Sequence, residues 1–215
     1  MSTLISNCTG VILAGGENTR MPVLKAFIEV EGQKIVERNL LIMKTLFRES
    51  RIVTNQPELY AYLGVPMLGD AYDIRGPMTG IFTALLNSPT PLVFISACDM
   101  PFINKDLIKY MAEKTPGKDA VVPEQSGQRE PLFAFYSRHL LESMENALLG
   151  GRRGPRDFLR NKRVQYITTE EIRKSDGRGA SFINLNCPKD VERNLCRKDI
   201  IRFKRTVKRG VECLD

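Results

Sequence analysis

The chain has 215 residues, with 32 lysines and arginines against 25 aspartates and glutamates, which gives a formal net charge of +7. This length suits one domain with a sizeable core, and a composition of 42% hydrophobic and 27% charged residues is that of an ordinary soluble globular protein, not of a disordered or fibrous one. No basic residue precedes Arg20 and the apolar run 11–14 is short, so we expect no secretory signal, transit peptide or membrane span, and a cytoplasmic location.

The first half of the chain alternates short apolar strands with amphipathic helices. Strands are predicted over residues 10–14, 51–54, 65–68, 92–97 and 120–122, and helices over 34–47, 77–86 and 104–113. Asn104 suits a helix N-cap, and Pro77 lies just inside a helix start, where proline costs least. This alternation predicts a single-domain α/β fold with a mostly parallel twisted sheet and helices on both faces. Ligands of such sheets bind outside the carboxyl ends of the strands.

The pattern changes after about residue 128. Strands are predicted over residues 131–136, 164–167 and 182–185, and helices over 138–149 and 155–159. Residues 150–154 read as a loop, and the polar, glycine-rich segment 174–179 as a mobile loop.

The positive excess lies near the C-terminal end. Residues 193–209 contain eight basic residues and one acidic residue, Asp199, which accounts for the whole +7 and leaves 24 residues of each sign elsewhere. Leu195, Phe203 and Val207 lie among these charges and predict an amphipathic helix. We expect this helix to dock on the body or on an acidic surface rather than on DNA.

A second group of basic residues surrounds the predicted loop 150–154. Its members are Arg152, Arg153, Arg156, Arg160, Lys162 and Arg163. They either receive an anionic ligand or form a solvated face of the protein.

A glycine-containing loop directly after the first strand is the strongest local signal. Gly15 and Gly16 let the backbone approach a ligand closely, and successive N–H groups there can bind phosphate oxygens. Arg20, whose guanidinium is a fork of donors, and Lys25, whose ammonium is a compact charge, follow this loop. This combination of positive charges suits a triphosphate. The segment is not a Walker A loop, because Gly16 stands at the lysine position, and it lacks the G-x-G-x-x-G fingerprint. A glycine turn with surface basic residues is the alternative.

Asp99 follows the strand predicted over 92–97, which places its carboxylate at the carboxyl edge of the sheet. Such oxygens suit Mg²⁺, which usually takes one or two protein carboxylates together with phosphate oxygens. The alternative role is a helix cap, although Asn104 is the better cap because Pro101 follows Asp99 so closely.

Two further polar residues follow predicted strands. Asn55 comes after strand 51–54 and Asp70 after strand 65–68, and the segment 76–80 opens a helix. Asp70 and the N–H groups of this segment suit a base or a ribose. A loop with good turn chemistry is the alternative.

Together these residues resemble the molybdenum cofactor guanylyltransferases, which make molybdopterin-guanine dinucleotide. The shared motifs are LAGG-x-x-x-RM at 13–21, Lys25, GD…GP-x-x-GI at 69–81, CDMPF at 98–102 and FINLN at 182–186, in the family's order over about residues 9–195. The resemblance implies a GT-A-like, Rossmann-like nucleotidyltransferase fold that uses GTP and Mg²⁺. It divides the chain into a nucleotidyltransferase domain over 1–195 and a basic, helical segment over 196–215.

The resemblance also implies roles for individual residues. Those that would hold the triphosphate are Leu13, Ala14, Gly15, Gly16 and Lys25. Asn55 and Asp70 would lie around the nucleoside, and Asp99 would bind nucleotide and metal. Asn184 and Asn186 match residues that the family places near the pterin half of the site. Glycine at position 15 favours guanine, because relatives that transfer cytidylyl groups usually carry LAAG.

The implied reaction is attack of the molybdopterin phosphate on the α-phosphorus of GTP, with release of pyrophosphate. It needs charge neutralisation rather than a general base, which agrees with a chain whose only histidine, His139, reads as structural. Lys25, Arg20 and Asp99 are the expected catalytic residues. The expected partners are GTP and molybdopterin, with transient contact to molybdoenzymes or their chaperones, and neither a membrane nor a nucleic acid.

Pro22 and Leu24 depart from the family pattern, which usually has glycine after R-M and aspartate immediately before the lysine. Proline lacks an N–H donor, so phosphate binding is weaker, or the loop differently arranged, if that amide normally touches phosphate. The alternatives are a related nucleotidyltransferase that uses CTP or a sugar phosphate, a non-catalytic nucleotide-binding protein, and a nucleic-acid-binding protein that acts through residues 193–209.

Overall fold

The structure, a computed structural model, describes residues 4–15 and 21–212. The strands within these residues are β1 Ile5–Leu13, β2 Glu29–Val30, β3 Gln33–Lys34, β4 Phe47–Val53, β5 Met67–Leu68, β6 Leu92–Ala97, β7 Ala120–Gln125, β8 Gln128–Arg129, β9 Phe133–Ser137 and β10 Val164–Ile167. The helices are α1 Ile35–Leu46, α2 Pro77–Asn87, α3 Lys105–Glu113, α4 Leu141–Leu149, α5 Pro155–Phe158, α6 Thr169–Ser175, α7 Pro188–Asn194 and α8 Arg197–Glu212. None of these helices has the apolar length that a membrane crossing requires.

One sheet organises the fold, with the strand order β10-β7-β9-β6-β1-β4-β5. β1 pairs in parallel with both β4 and β6, β5 is parallel to β4, and β10 is parallel to β7. β9 is antiparallel to its two neighbours, β6 and β7. The predicted single-domain α/β architecture with a mostly parallel sheet is confirmed, and the carboxyl ends of β1, β4, β5 and β6 share one edge.

β1 is an inner strand of the sheet, and its side chains alternate between two apolar cores. Ile12 packs on one face with α1 and α3, and Val11 packs on the other face with α2 and α4. Gly10 leaves room for Phe47, since a Cβ at position 10 would lie 2.5 Å from the Phe47 Cδ2 atom. Strand pairing and burial on both faces thus fix the strand that leads into the glycine loop.

The strand predicted over 182–185 is wrong. Residues Ala180–Phe182 form a short 3₁₀ helix, and the chain then runs beneath the end of β6, where the Leu185 amide donates to the Asp99 carbonyl at 3.0 Å. β6 is already paired on both sides, with β1 and β9, so it offers no ladder to another strand. The apolar side chain of Leu185 instead enters a third core cluster.

The mobile loop predicted over 174–179 is also wrong in its first part. Helix α6 continues to Ser175 and begins with a capping box between Thr168 and Glu171. The buried Asp176 carboxylate then accepts hydrogen bonds from the Ala180 and Ser181 amides. The polar side chain of Asp176 thus accepts hydrogen bonds from backbone amides inside the fold. A polar, glycine-rich composition is also typical of a solvated loop, so composition did not distinguish the two.

Helix α8 packs on the hairpin formed by β2 and β3. Phe203 is only 6% exposed and shares the third core cluster with Met21, Ile28 and Val30. The buried Asp199 carboxylate accepts a hydrogen bond from the Glu31 amide at 3.0 Å, at the turn of the hairpin. The C-terminal helix is therefore fastened to the segment that follows Lys25 by an apolar contact and a polar one.

We expect Phe203→Ala to lower the free energy of unfolding by about 3 kcal/mol, because it removes a buried aromatic ring from the third core cluster. Ile201→Ala on the same helix is the matched control, since Ile201 is 44% exposed and its truncation should change stability by less than about 0.5 kcal/mol. Urea unfolding of both variants measures the difference. Equal effects of the two substitutions would show that α8 is not docked as described.

Candidate active site

The ends of β1, β4 and β6 form the floor of the site. Beyond the strands, the Ala14 amide donates to the Val53 carbonyl at 2.9 Å and the Cys98 amide donates to the Leu13 carbonyl at 3.1 Å. Leu13 and Ala14 are buried, whereas Gly15 is exposed. A Cβ at Gly15 would meet no atom within 4 Å, so the described residues leave open space above it. The predicted site residues Gly16 and Arg20 lie outside the described residues.

Three residues from distant parts of the chain meet beside this floor. The Lys25 ammonium donates to the Asn186 Oδ1 atom at 2.6 Å and to the Asp99 Oδ2 atom at 3.2 Å. The Lys25 and Asp99 side chains are 21% and 17% exposed, so both still reach the cleft. Because both side chains keep some exposure, a ligand in the cleft can reach them and exchange with their present partners.

Asn186 is positioned by the start of α7. The Asp190 carboxylate accepts hydrogen bonds from the amides of Asn186 and Cys187 at 2.8 and 2.9 Å. Burial alone raises the pKa of the Asp190 carboxyl, but these bonds and the charge of Arg193 outweigh it and hold the pKa below its ordinary value. Asn184, two residues before Asn186, has a buried Oδ1 atom without a hydrogen-bond partner among the described residues. The segment thus presents one fixed amide and one unsatisfied amide oxygen.

Asn55 and Asp70 form a second polar pair on the far side of the floor. The Asn55 side-chain amide donates to the Asp70 carboxylate, and the Asp70 backbone amide donates to the Asn55 Oδ1 atom, both at 2.9 Å. Both residues follow neighbouring parallel strands, as predicted. Nearby, α2 begins at Pro77 without a side-chain cap on its N-terminus, and its Gly80 lies against Leu13.

Glu130 is a residue of this edge that the sequence analysis missed. Its side chain is 17% exposed and lies 3.8 Å from the Arg156 guanidinium. Burial raises the pKa of the Glu130 carboxyl, the charge of Arg156 opposes this rise, and the charge of Asp99 adds to it. The feature that identifies Glu130 is the direction of β9. Because β9 is antiparallel to β6, the residues just before β9 lie at the carboxyl end of β6.

Several candidates lie elsewhere or are unsuited to chemistry. Burial, followed by the charge of Asp99, raises the pKa of the Cys98 thiol to about 12, which agrees with a structural cysteine. His139 follows β9 at the opposite edge of the sheet, because Ser137 pairs with Leu92 at the start of β6. Arg163, one of the basic residues around the predicted loop 150–154, forms an ion pair with Asp119.

The departures at positions 22 and 24 fall within the described residues. Pro22 is exposed, and the Leu24 carbonyl accepts a hydrogen bond from the Phe27 amide at 2.9 Å in the short helix that carries Lys25. The contribution of Leu24 to this turn comes from its backbone, which any residue can supply.

The donor set fits a cation that is held mainly by its substrate. The Asp99 carboxylate and the Asn186 amide oxygen both point at the Lys25 ammonium, so two oxygen donors converge on one positively charged centre. No group of three or more His, Cys, Asp or Glu residues with metal-binding geometry occurs within residues 4–15 and 21–212. This sparse set suits Mg²⁺, which takes few protein ligands and completes its shell with phosphate oxygens and water.

We expect Asp190→Ala to lower the free energy of unfolding by about 1 kcal/mol at neutral pH, because the start of α7 loses its acceptor. The folded pKa of Asp190 is lowered, so its stabilisation is present above the ordinary carboxyl pKa of about 4 and is lost as the pH falls through the folded value. Urea unfolding over a pH series should therefore show the two proteins converging in acid.

The control is Lys189→Ala, an exposed position on the same helix, which should leave stability unchanged at every pH. A deficit of Asp190→Ala that stays constant into strong acid would show that the carboxylate charge does not stabilise this segment.

Comparisons with known proteins find relatives over most of the chain. Residues 10–167 match a family described as the MobA-like NTP transferase domain. The chain is 35% identical to the molybdenum cofactor guanylyltransferase of Desulfosudis oleivorans over 86% of this chain and 93% of that protein, and 32% identical to that of Syntrophotalea carbinolica over 86% and 89%. The crystal structure of molybdopterin-guanine dinucleotide biosynthesis protein A from Archaeoglobus fulgidus superposes with a TM-score of 0.76 at 26% identity, covering 87% of this chain and 96% of that one.

Proposed function

This chain belongs to the MobA-like NTP transferase family, and we propose that it is a guanylyltransferase that transfers GMP from GTP to the phosphate of molybdopterin and releases pyrophosphate. The observation that carries the proposal is the meeting of Lys25, Asp99 and Asn186 at the end of β6, beside the open space above Gly15. A cation, a carboxylate and an amide thus lie together at the sheet edge, which supports a site where a triphosphate and an acceptor phosphate would approach each other.

The main task of such a site is to neutralise charge. Two anions meet in the reaction, and fixed positive charge at the phosphates lowers the barrier more than any other single device. Lys25 supplies that charge on a flexible stem, and its partly exposed ammonium can turn from Asp99 to the oxygens of the triphosphate. Arg20 is proposed to support the departing pyrophosphate, and the backbone of residues 13–16 to line the phosphates.

Mg²⁺ is proposed as the cofactor, with Asp99 as its protein ligand and the Asn186 amide oxygen beside it. When bound, the ion would screen the triphosphate charge and make the α-phosphorus more electrophilic. Asp99 would thereby fix the position of the nucleotide at the sheet edge. Asn186 is kept in place by the hydrogen bonds that the Asp190 carboxylate accepts from the Asn186 and Cys187 amides.

No side chain needs to remove a proton from the nucleophile. A phosphate monoester is ionised at neutral pH, so its oxygen attacks the α-phosphorus while the bond from that phosphorus to the bridging oxygen of the leaving pyrophosphate breaks. A partly buried Cys98 with a raised pKa and a distant His139 agree with a site that works by position and charge.

The nucleoside is proposed to lie over β4 and β5. The Asn55 and Asp70 pair offers an amide and a carboxylate to the ribose or base. Glycine at position 15 matches the LAGG motif of the guanylyl-transferring relatives, which supports GTP over CTP.

The remaining assignments follow from this function. Residues 1–195 are proposed as the catalytic unit, and residues 196–215 as a basic segment fastened to it through α8. The cytoplasm, where GTP is available, is the proposed location, and molybdoenzymes or their chaperones are proposed as transient recipients of the product.

We expect Asp99→Ala and Lys25→Ala each to reduce turnover about 100- to 1000-fold, since each removes a charge that is needed most in the transition state. Asp106→Ala and Lys105→Ala are matched controls on α3, both exposed and outside the cleft, and they should turn over like the unaltered protein. Pyrophosphate release with GTP and molybdopterin measures the rate, and urea unfolding checks the fold. Normal turnover in either site variant would contradict its role.

We also expect pyrophosphate release to require molybdopterin, GTP and Mg²⁺ together, with little activity when CTP, UTP or ATP replaces GTP or when a chelator removes the metal. A preference for CTP or for a sugar phosphate acceptor would select a different nucleotidyltransferase. Binding of GTP without pyrophosphate release would select a non-catalytic nucleotide-binding protein, and salt-sensitive binding of DNA lost on deleting residues 193–215 would select the nucleic-acid function.

A further inference from the structure

The order of the strands along the sheet edge indicates where each of the two substrates, the nucleotide and the acceptor, would lie. Asp70, Asn55 and the glycine loop follow β5, β4 and β1, and Asp99 follows β6. Next along the same edge is the start of β9, which Glu130 precedes. With the nucleotide over β5, β4 and β1 and its α-phosphorus near Asp99, the acceptor must enter over β9.

Glu130 is held firmly at this entrance. Its amide donates to the Pro123 carbonyl at 3.0 Å, its carbonyl accepts from the Phe133 amide at 3.1 Å, and the adjacent Leu132 carbonyl accepts from the Ala97 amide at 2.9 Å. These bonds tie the residue to β7, β9 and the end of β6. A carboxylate on such a fixed backbone costs little further ordering when it binds a ligand.

The Glu130 carboxylate lacks donors of its own. It is largely buried, yet across the described part of the chain it accepts no hydrogen bond, and the Arg156 guanidinium stays at 3.8 Å, beyond hydrogen-bonding distance. Neither oxygen is among the fully enclosed polar atoms without a partner in this part of the chain, so both are open to a ligand that supplies N–H or O–H groups.

The charge of Glu130 decides which end of the acceptor it meets. A negatively charged Glu130 repels the acceptor phosphate, so we do not place that phosphate beside Glu130. The other end of molybdopterin is an aminopyrimidinone ring, whose adjacent N–H and NH₂ groups match the two oxygens of a carboxylate. Both hydrogen bonds would be charge-assisted, the strong kind.

We propose that Glu130 recognises the pterin ring of the acceptor, and that the Arg156 guanidinium, 3.8 Å from the Glu130 carboxylate, is a positioning residue that acts on it through its charge. The assignment rests on the proposed function and adds its acceptor subsite. Arg156 is 58% exposed and follows Pro155 at the start of α5, so it can screen Glu130 without filling the entrance.

The test is steady-state kinetics of pyrophosphate release with molybdopterin varied at saturating GTP, together with GTP binding by calorimetry. Glu130→Gln should raise the KM for molybdopterin about ten- to 100-fold, the effect of losing a charged hydrogen-bond partner, with an unchanged Kd for GTP. Glu130→Asp, which keeps the charge but draws it back by one methylene, should raise the same KM. Urea unfolding establishes that both variants are folded.

The matched control is Glu49→Gln, which alters another carboxylate beside an arginine, Arg51, on β4 away from the cleft. It should leave KM unchanged. Arg156→Ala should raise the KM for molybdopterin about two- to fivefold with little change in kcat, and Arg156→Lys should restore it, because the charge and not the packing is required.

Failure of this assignment can be told apart from failure of the proposed function. If the unaltered protein makes no product from GTP and molybdopterin, the function itself is wrong. If it is active and both Glu130 variants keep their KM for molybdopterin, or lose GTP affinity instead, Glu130 does not recognise the acceptor.

Discussion

The parallel pairing of β4, β1 and β6 is the constraint on which the rest of the structure depends. Parallel strands end at one edge, and here two backbone hydrogen bonds continue the pairing beyond the strands themselves, between Ala14 and Val53 and between Cys98 and Leu13. The first residues of three loops are therefore fixed before any side chain contributes. Because β9 runs the other way, the same edge also receives the residues that precede a strand, and Glu130 enters the site by this route.

Stability and function are supplied by different kinds of contact. Three apolar clusters hold the layers together, and their members are almost fully buried. The Lys25 and Asp99 side chains of the cleft keep some exposure to solvent, so a ligand can reach them. The net charge divides in the same way: Lys25 lies at the sheet edge beside Asp99, whereas the excess of +7 lies around α8, where Lys204 pairs with Glu192 on the surface.

The sequence predicted the parts of this arrangement that depend on local pattern. Apolar runs located β6 and β10 at their observed bounds, and Asn104 caps α3 through hydrogen bonds from the Asp106 and Leu107 amides. Residues that follow parallel strands, such as Asn55 and Asp70, were placed together. The pattern failed at 182–185, where an apolar stretch packs against the core and forms no strand. Whether a strand can form there depends on whether a neighbouring strand still has an unpaired side, and this is a property of the whole sheet. The direction of β9, and with it the place of Glu130, depends equally on tertiary context.

The contact between Lys25 and Asn186 has a consequence for the order in which the protein is made. The two residues are 161 positions apart, and α8 then fastens the hairpin that follows Lys25. On the ribosome, the strands of the central sheet emerge and can pair well before residue 186 does. The nascent chain thus acquires most of its hydrophobic core while Lys25 can contact Asp99 but not yet Asn186, and the cleft is completed only when the segment around residue 186 and α8 have emerged.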